Sequence, residues 1–197
     1  MAVAITYETH SITEDNERGI ATGHLPGRLS ARGREVAAEL GARYRAEPPD
    51  AVYTSDLRRA VETARIAFGD TGIPVLQDPR LRECDYGDLN GRPVAELAKV
   101  RSAHIDRPFP GGGQSYREVI EATREFLRDL VAERDGQRVV IIAHSANRWA
   151  LHVLLGGEAI ERLVNAPFNW QPGWHYTVTA GSIEEPVTGP GTADSAH

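Results

Sequence analysis

Cysteine is almost missing from the 197 residues, with Cys84 standing alone. One thiol cannot close an intrachain disulfide, so a disulfide-stapled secreted scaffold is excluded. Lysine is as scarce: Lys99 is the one lysine among 22 basic residues, and the other 21 are arginine. No apolar run approaches the roughly 18 residues of a membrane span, so no membrane partner is expected. The chain opens directly on a strand-like pattern, without a basic n-region or a cleavage site. No signal peptide is therefore expected, and the cytoplasm is the expected compartment. The net charge of -6 and pI of about 5.7 lack the positive excess of a nucleic-acid-binding surface. What remains is 41% hydrophobic and 25% charged, ordinary for a soluble globular protein. The length suits one domain with a sizeable core. The arginine excess has two readings. Genomic base composition is one; recognition of anions by guanidinium forks is the other, and only position can decide between them.

Apolar runs and periodicity alternate along the chain. Residues 2–7 read as a buried strand ending near His10, followed by a polar loop over 11–29. Ser30 is a plausible N-cap for a helix with Val36, Leu40 and Tyr44 on one face, ended by Pro48-Pro49. Residues 51–54 form a second strand. Ser55 or Asp56 is expected to cap a helix that buries Leu57, Ala60, Val61, Ala64 and Phe68. A third strand is expected over 73–76, a loop over 78–93, a short helix over 94–103 and a long one over 115–133. Residues 138–143 read as a buried strand, 146–155 as a helix and 174–180 as an alternating strand. The composition of the last residues predicts a disordered tail over 184–197, leaving one domain over 1–183. Strands alternating with helices predict an α/β fold with a mostly parallel sheet, in which ligands bind beyond the carboxyl ends of the strands.

The residues just after each strand are therefore the candidates: His10, the segment from Ser55 to Arg59, and His144. A single histidine there is usually structural; two after apolar strands make a site more plausible. Arg59 is expected to point off the apolar face of its helix, in the first turn, where a cation opposes the helix dipole and a bound anion would reverse that penalty. Arg58 is expected to face solvent. Glu83, between Leu81 and Cys84, is a candidate proton donor whose pKa partial burial would raise.

At these residues the chain resembles the histidine phosphatase superfamily, the phosphoglycerate mutase-like fold, over most of its length, to about residue 180. The family's opening Arg-His-Gly-x-Thr with a later Asn is met by Thr9-His10-Ser11-Ile12-Thr13 and Asn16. Its Leu-Thr-x-x-Gly is met by Leu29-Ser30-Ala31-Arg32-Gly33. Ser55, Leu57, Arg59, Ala60, Thr63 and Ala64 match its Ser-x-Leu-x-Arg-Ala-x-x-Thr-Ala in full. Leu81, Glu83, Gly87 and Gly91 follow its acid loop, and His144 is its second histidine. Each motif alone is weak, and all of them in order are strong. The resemblance implies a three-layer α/β/α sandwich and a phosphatase acting on a small phosphorylated substrate without a cofactor or metal. His10 would become a phosphohistidine. Arg59 and His144 would hold the phosphoryl oxygens, with Asn16, Thr9 and Ser145 at further phosphate-binding positions. Glu83 would protonate the leaving oxygen and then activate water.

Departures keep other readings open. The family's first arginine is Thr9, its next glycine is Ser11, and Ser145-Ala146 replaces a Gly-Gly pair. An arginine expected five residues after the second histidine is Trp149, with Arg148 one place early. Either Arg28, Arg82, Arg92 or Arg148 completes the cradle, or the pocket holds something other than a simple phosphate monoester. A non-catalytic or altered-ligand binding protein on the same fold is one alternative. A serine esterase using Ser145 is another, although G-x-S-x-G is not preserved there. A mutase would need a water-excluding lid, and no lid-sized insertion is present. A metal on His10, His144 and a carboxylate lacks ligand spacing. The Gly111-Gly112-Gly113-Gln114-Ser115 stretch reads as a loop entering the long helix. Trp170 and Trp174 suit either a pocket wall or a homodimer face.

Overall fold

The computed structural model of the chain describes residues 2–184. The expected tail lies outside the described residues from position 185 onward. In chain order the elements are β1 (Val3–Thr9), α1 (Glu14–Arg18), β2 (Ile20–Ala21), α2 (Ala31–Arg43), β3 (Ala51–Thr54), α3 (Arg58–Phe68), β4 (Val75–Gln77) and β5 (Arg92–Pro93). Then come α4 (Val94–Val100), α5 (Tyr116–Glu133), β6 (Arg138–Ala143), α6 (Ser145–Gly156), α7 (Ile160–Leu163), β7 (Trp174–Val178) and α8 (Ala180–Glu184). The main sheet has the order β4-β3-β6-β1-β7. Its pairings are parallel except for β7, which runs antiparallel to β1 along one edge. This is the expected mostly parallel α/β sheet with helices on both faces.

β6 shows why the sheet is sandwiched. Its run of Val and Ile suits a pleated strand buried on both sides. Val139, Ile141 and Ala143 join the cluster beneath α5 and α6, while Val140 and Ile142 join the one beneath α2 and α3. Each such Val or Ile side chain contributes about 1.5–3 kcal/mol by leaving water. α5 buries Val119, Phe126 and Leu130 on one stripe and opens with a capping box between Ser115 and Glu118. Ser30 caps α2 as expected, accepting from the Gly33 N–H.

Two local expectations are corrected. Neither Ser55 nor Asp56 caps α3, whose N-cap is Leu57 without a side-chain bond. Both side chains are engaged elsewhere, Ser55 with His144 and Asp56 with Arg82. The polar loop over 11–29 also contains α1, because Thr13 and Asn16 form a reciprocal capping box.

Gly33 shows what the Leu-Ser-x-x-Gly segment is for. A Cβ there would lie 1.9 Å from the Ile12 carbonyl oxygen, so only glycine lets α2 approach the segment after β1. The Ser11 hydroxyl then donates to the Gly33 carbonyl at 2.6 Å. Gly87, at φ 54°, does the same for the acid loop, where a Cβ would meet the Pro110 carbonyl at 1.9 Å. The Gly111–Gly113 stretch thus supports the Glu83 loop from behind. Gln114 adds to this by accepting from the Asp85 N–H at 3.1 Å.

Candidate active site

β3, β6 and β1 are neighbours in the sheet and end in register, with Thr9 beside Ala143 and Thr54 beside Ile142. The residues that follow these strands must meet at one rim. His10, Ser55 and His144 do so, and the His10 N–H donates to the Ala143 carbonyl at 2.9 Å. The rings of His10 and His144 lie 5.1 Å apart.

His10 is held in one tautomer. Its Nδ1 lies 2.8 Å from the Ser11 carbonyl oxygen, which can only accept, so Nδ1 carries the proton. Nε2 is left with its lone pair, and Arg59 Nε donates toward it at 3.3 Å. Burial first, then the Arg59 guanidinium, push the His10 pKa from 6.5 down to about 3, against the Ser11 carbonyl bond. His10 is a neutral imidazole at ordinary pH, with its free nitrogen aimed at a cation.

His144 is fully buried and does not line the cavity; it packs beneath His10. Its Nε2 lies 2.7 Å from the Ser55 hydroxyl, and the Tyr7 hydroxyl donates to its carbonyl. Its Nδ1 has no partner among the described residues. Burial, followed by Arg59, His10 and His24, holds it well below the usual imidazole range. An unpartnered buried nitrogen costs about 1–3 kcal/mol, which an anion's oxygen reaching it would recover.

Arg59 departs from expectation. It is not turned out to solvent but is 2% exposed, because residues 23–25 fold over it. The guanidinium donates to the Gly23 carbonyl at 2.8 Å and the Leu25 carbonyl at 3.4 Å. Thr63 completes the scaffold, donating to the Arg59 carbonyl at 2.7 Å and accepting from the Ser11 N–H at 3.0 Å. Arg58 is exposed, as expected.

Glu83 is buried, and its Oε1 accepts from the Cys84 N–H at 2.9 Å and the Ala146 N–H at 3.2 Å. Oε2 is the oxygen left for a substrate. His24 was not anticipated: its Nε2 lies 2.7 Å from the Glu83 carbonyl, and its Nδ1 lies 3.5 Å from Asp85. Residues 23–25 therefore tie the arginine to the acid. Burial pushes the neighbouring Cys84 thiol up, which keeps it a neutral thiol.

His10, Arg59 and Glu83 open onto a cavity of about 670 Å³. Thr9, His10, Asn16, Arg59, Glu83 and Ser145 all line it. Asn16 spends Oδ1 on the α1 capping box, so only its amide N–H₂ can reach a ligand. Of the four arginines considered for the missing cation, three are pinned by carboxylates. Arg28 pairs with Glu14, Arg82 with Asp56 and Arg92 with Glu96. Arg148 lines the cavity instead, over the rings of Phe168 at 5.0 Å and Trp174 at 4.8 Å, and its buried Nε has no partner among the described residues.

The other readings find less here. His152 pairs with Glu158 at 2.8 Å and His175 lies against Thr6, so neither is on the cavity wall to serve Ser145. Among the described residues, no three His, Cys, Asp or Glu side chains gather as a metal site. No helix among them is long and apolar enough to cross a membrane. Trp170 lines the cavity, whereas Trp174 is buried against Tyr7.

His24 is the site residue that the sequence did not point to; Ser55 stood among the rim candidates, but as a helix cap rather than as the partner of His144. Ser55 opens the best-matched motif and directly follows a strand, a signal that the capping rule overrode. His24 carries no local signal.

A model of the histidine phosphatase superfamily (branch 1) matches residues 9–171. Phosphoglycerate mutase-like protein 4 of Arabidopsis thaliana is 31% identical over 172 residues, covering 81% of this chain and 75% of its own. Glucosyl-3-phosphoglycerate phosphatase of Mycolicibacterium vanbaalenii is 32% identical over 166 residues, covering 77% of this chain and 73% of its own. The solved structure of Bacillus stearothermophilus YhfR superposes with a TM-score of 0.77 at 26% identity, covering 92% of this chain and 100% of that one.

Proposed function

The chain belongs to the histidine phosphatase superfamily and is a phosphatase, and from that premise we propose that it hydrolyses a small phosphate monoester through a phosphohistidine on His10, with no metal. The observation that carries this reading is the Ser11 carbonyl on His10 Nδ1, which leaves Nε2 unprotonated beside Arg59. In the first step the Nε2 lone pair forms the N–P bond while the ester P–O bond breaks. The Glu83 carboxyl gives its proton to the leaving oxygen, releasing the alcohol. In the second step the Glu83 carboxylate takes a proton from water, the water oxygen bonds to phosphorus, and the N–P bond breaks to return neutral His10 and inorganic phosphate.

The Arg59 Nε–H, already aimed at Nε2, is left to donate to a phosphoryl oxygen as Nε2 is consumed, so charge is stabilised where it develops. His144 Nδ1 offers a further donor from beneath. The Asn16 amide and the hydroxyls of Thr9 and Ser145 surround the remaining oxygens. Thr9 supplies a neutral donor where the family has a charged one, so ground-state phosphate binding is weaker by roughly the difference between neutral and charge-assisted bonds. The cavity and the intact set of His10, Arg59, Glu83 and His144 favour turnover over mere binding.

The test is phosphate release from p-nitrophenyl phosphate in EDTA. Release that disappears in His10→Ala supports the reading. Persistent release in that variant, or cleavage of p-nitrophenyl acetate instead, contradicts it.

A further inference from the structure

Resting on that phosphatase reading, the geometry points to a substrate whose alcohol is a flat, apolar ring, stacked on Trp170 and Phe168 at the mouth of the catalytic cavity. Few large hydrophobic side chains are exposed among the described residues: Leu25, Val75, Val94, Phe168 and Trp170. Of these, Val94, Phe168 and Trp170 line the one cavity that holds His10. Solvent-facing apolar groups normally scatter, and gathering them at a catalytic mouth leaves apolar surface for a ligand to cover. Phe168 is 52% and Trp170 56% exposed, so both leave ring surface for a ligand to cover. Leu97 and Trp149, both buried, continue the apolar wall inward.

The cavity is also too large for a phosphoryl group alone. At about 670 Å³ it lies within the range that holds whole drug-sized ligands. The segment that carries the two rings is anchored by Arg148, whose guanidinium lies over Phe168 and Trp174. That anchoring presents Phe168 on a fixed platform, as stacking requires. Arg59 is the guanidinium within hydrogen-bond distance of His10, at 3.3 Å, whereas Arg148 lies over the two rings. The polar floor would thus take the phosphate and the aromatic mouth the alcohol.

Two comparisons test this. The first is phosphate release from naphthylmethyl phosphate and from butyl phosphate, both esters of unactivated primary alcohols. The second is binding of the corresponding phosphonates, which cannot be hydrolysed, by calorimetry. The expected result is a kcat/KM for the naphthylmethyl ester at least about tenfold above the butyl ester, carried by KM. The naphthylmethylphosphonate binds tighter by the same factor, about 1.4 kcal/mol. Trp170→Ala lowers both ratios about tenfold, and Trp170→Phe restores most of the loss. Phe168→Ala is a second, independent variant with the same expected direction. Ratios near one, or ratios that neither variant moves, overturn the inference while phosphate release from both esters leaves the phosphatase reading intact. Ring-selective phosphonate binding that depends on Trp170, without phosphate release from any ester, supports the ring site and overturns the phosphatase reading.

Discussion

The floor and the mouth of the cavity are built on opposite plans. On the floor, His10 follows a strand, Arg59 sits in the first turn of a helix and Glu83 lies in a loop, with His144 packed beneath, and neighbouring groups fix their orientation. At the mouth, Val94, Phe168 and Trp170 are exposed and apolar, with no side-chain hydrogen bond to another described residue. A floor of that kind specifies a reaction, because nucleophile, cation and acid are oriented before a ligand arrives. A mouth of that kind specifies a partner, because apolar area rewards whatever shape covers it. Thr9 belongs to the floor yet departs from the family motif, offering a neutral hydroxyl in place of an arginine.

The sharpest way to break this division is at its nucleophile. His10→Asn is expected to lower phosphatase kcat by at least about a thousandfold, measured by phosphate release, with circular dichroism unchanged. A smaller loss would move the chemistry off the floor. Next comes Arg59→Ala, expected to lower kcat/KM by roughly 10²–10³, the cost of removing an aimed donor from a developing charge. A similar loss from Arg148→Ala with an ester of a small alcohol would contradict the division, since Arg148 serves the mouth.

The floor also depends on a close approach. Gly33→Ala forces a methyl toward the Ile12 carbonyl and should cost about 1–3 kcal/mol, read as a lower urea midpoint. Gly136→Ala, at a position where a Cβ meets nothing within 4 Å, carries only the strain of its φ of 76° and should cost less.

A further expected effect is in acid. His10 and His144 titrate below the ordinary 6.5 in the folded chain, so the unfolded chain binds protons first as pH falls. Their contribution to stability is complete above about pH 6.5 and is lost as the pH falls, down to about 3 for His10. The slope is up to about 1.4 kcal/mol per pH unit for each histidine. Urea midpoints between pH 7 and 5 should show that fall, with His10→Asn removing one histidine's share. Stability that holds level over that interval in both proteins would contradict the buried neutral state.

Half of the floor was legible in the sequence because His10 and His144 directly follow strands. β3 and β6 have the bounds that their apolar runs indicate, Ala51–Thr54 and Arg138–Ala143. Parallel register then carries His10 and His144 to the same rim. Less legible were the contacts between distant segments. Arg59 looked like an outward residue on its own helix, and only the remote residues 23–25 make it buried. Ser55 obeyed a local capping rule, but His144, 89 positions away, offered the stronger partner. The mouth left the weakest trace. Phe168 and Trp170 lie outside any helix or strand, where no periodicity indicates which way a ring faces.

The central claim is a phosphoryl group carried on His10, and the direct measurement is rapid-quench mass spectrometry of Glu83→Gln mixed with p-nitrophenyl phosphate. This variant lacks the carboxylate that activates water, so the intermediate should build up. The account predicts one phosphoryl group on His10, bonded at Nε2 and labile in acid. Phosphate released with no phosphorylated protein at any time, or a phosphoryl group on Ser145, would contradict it.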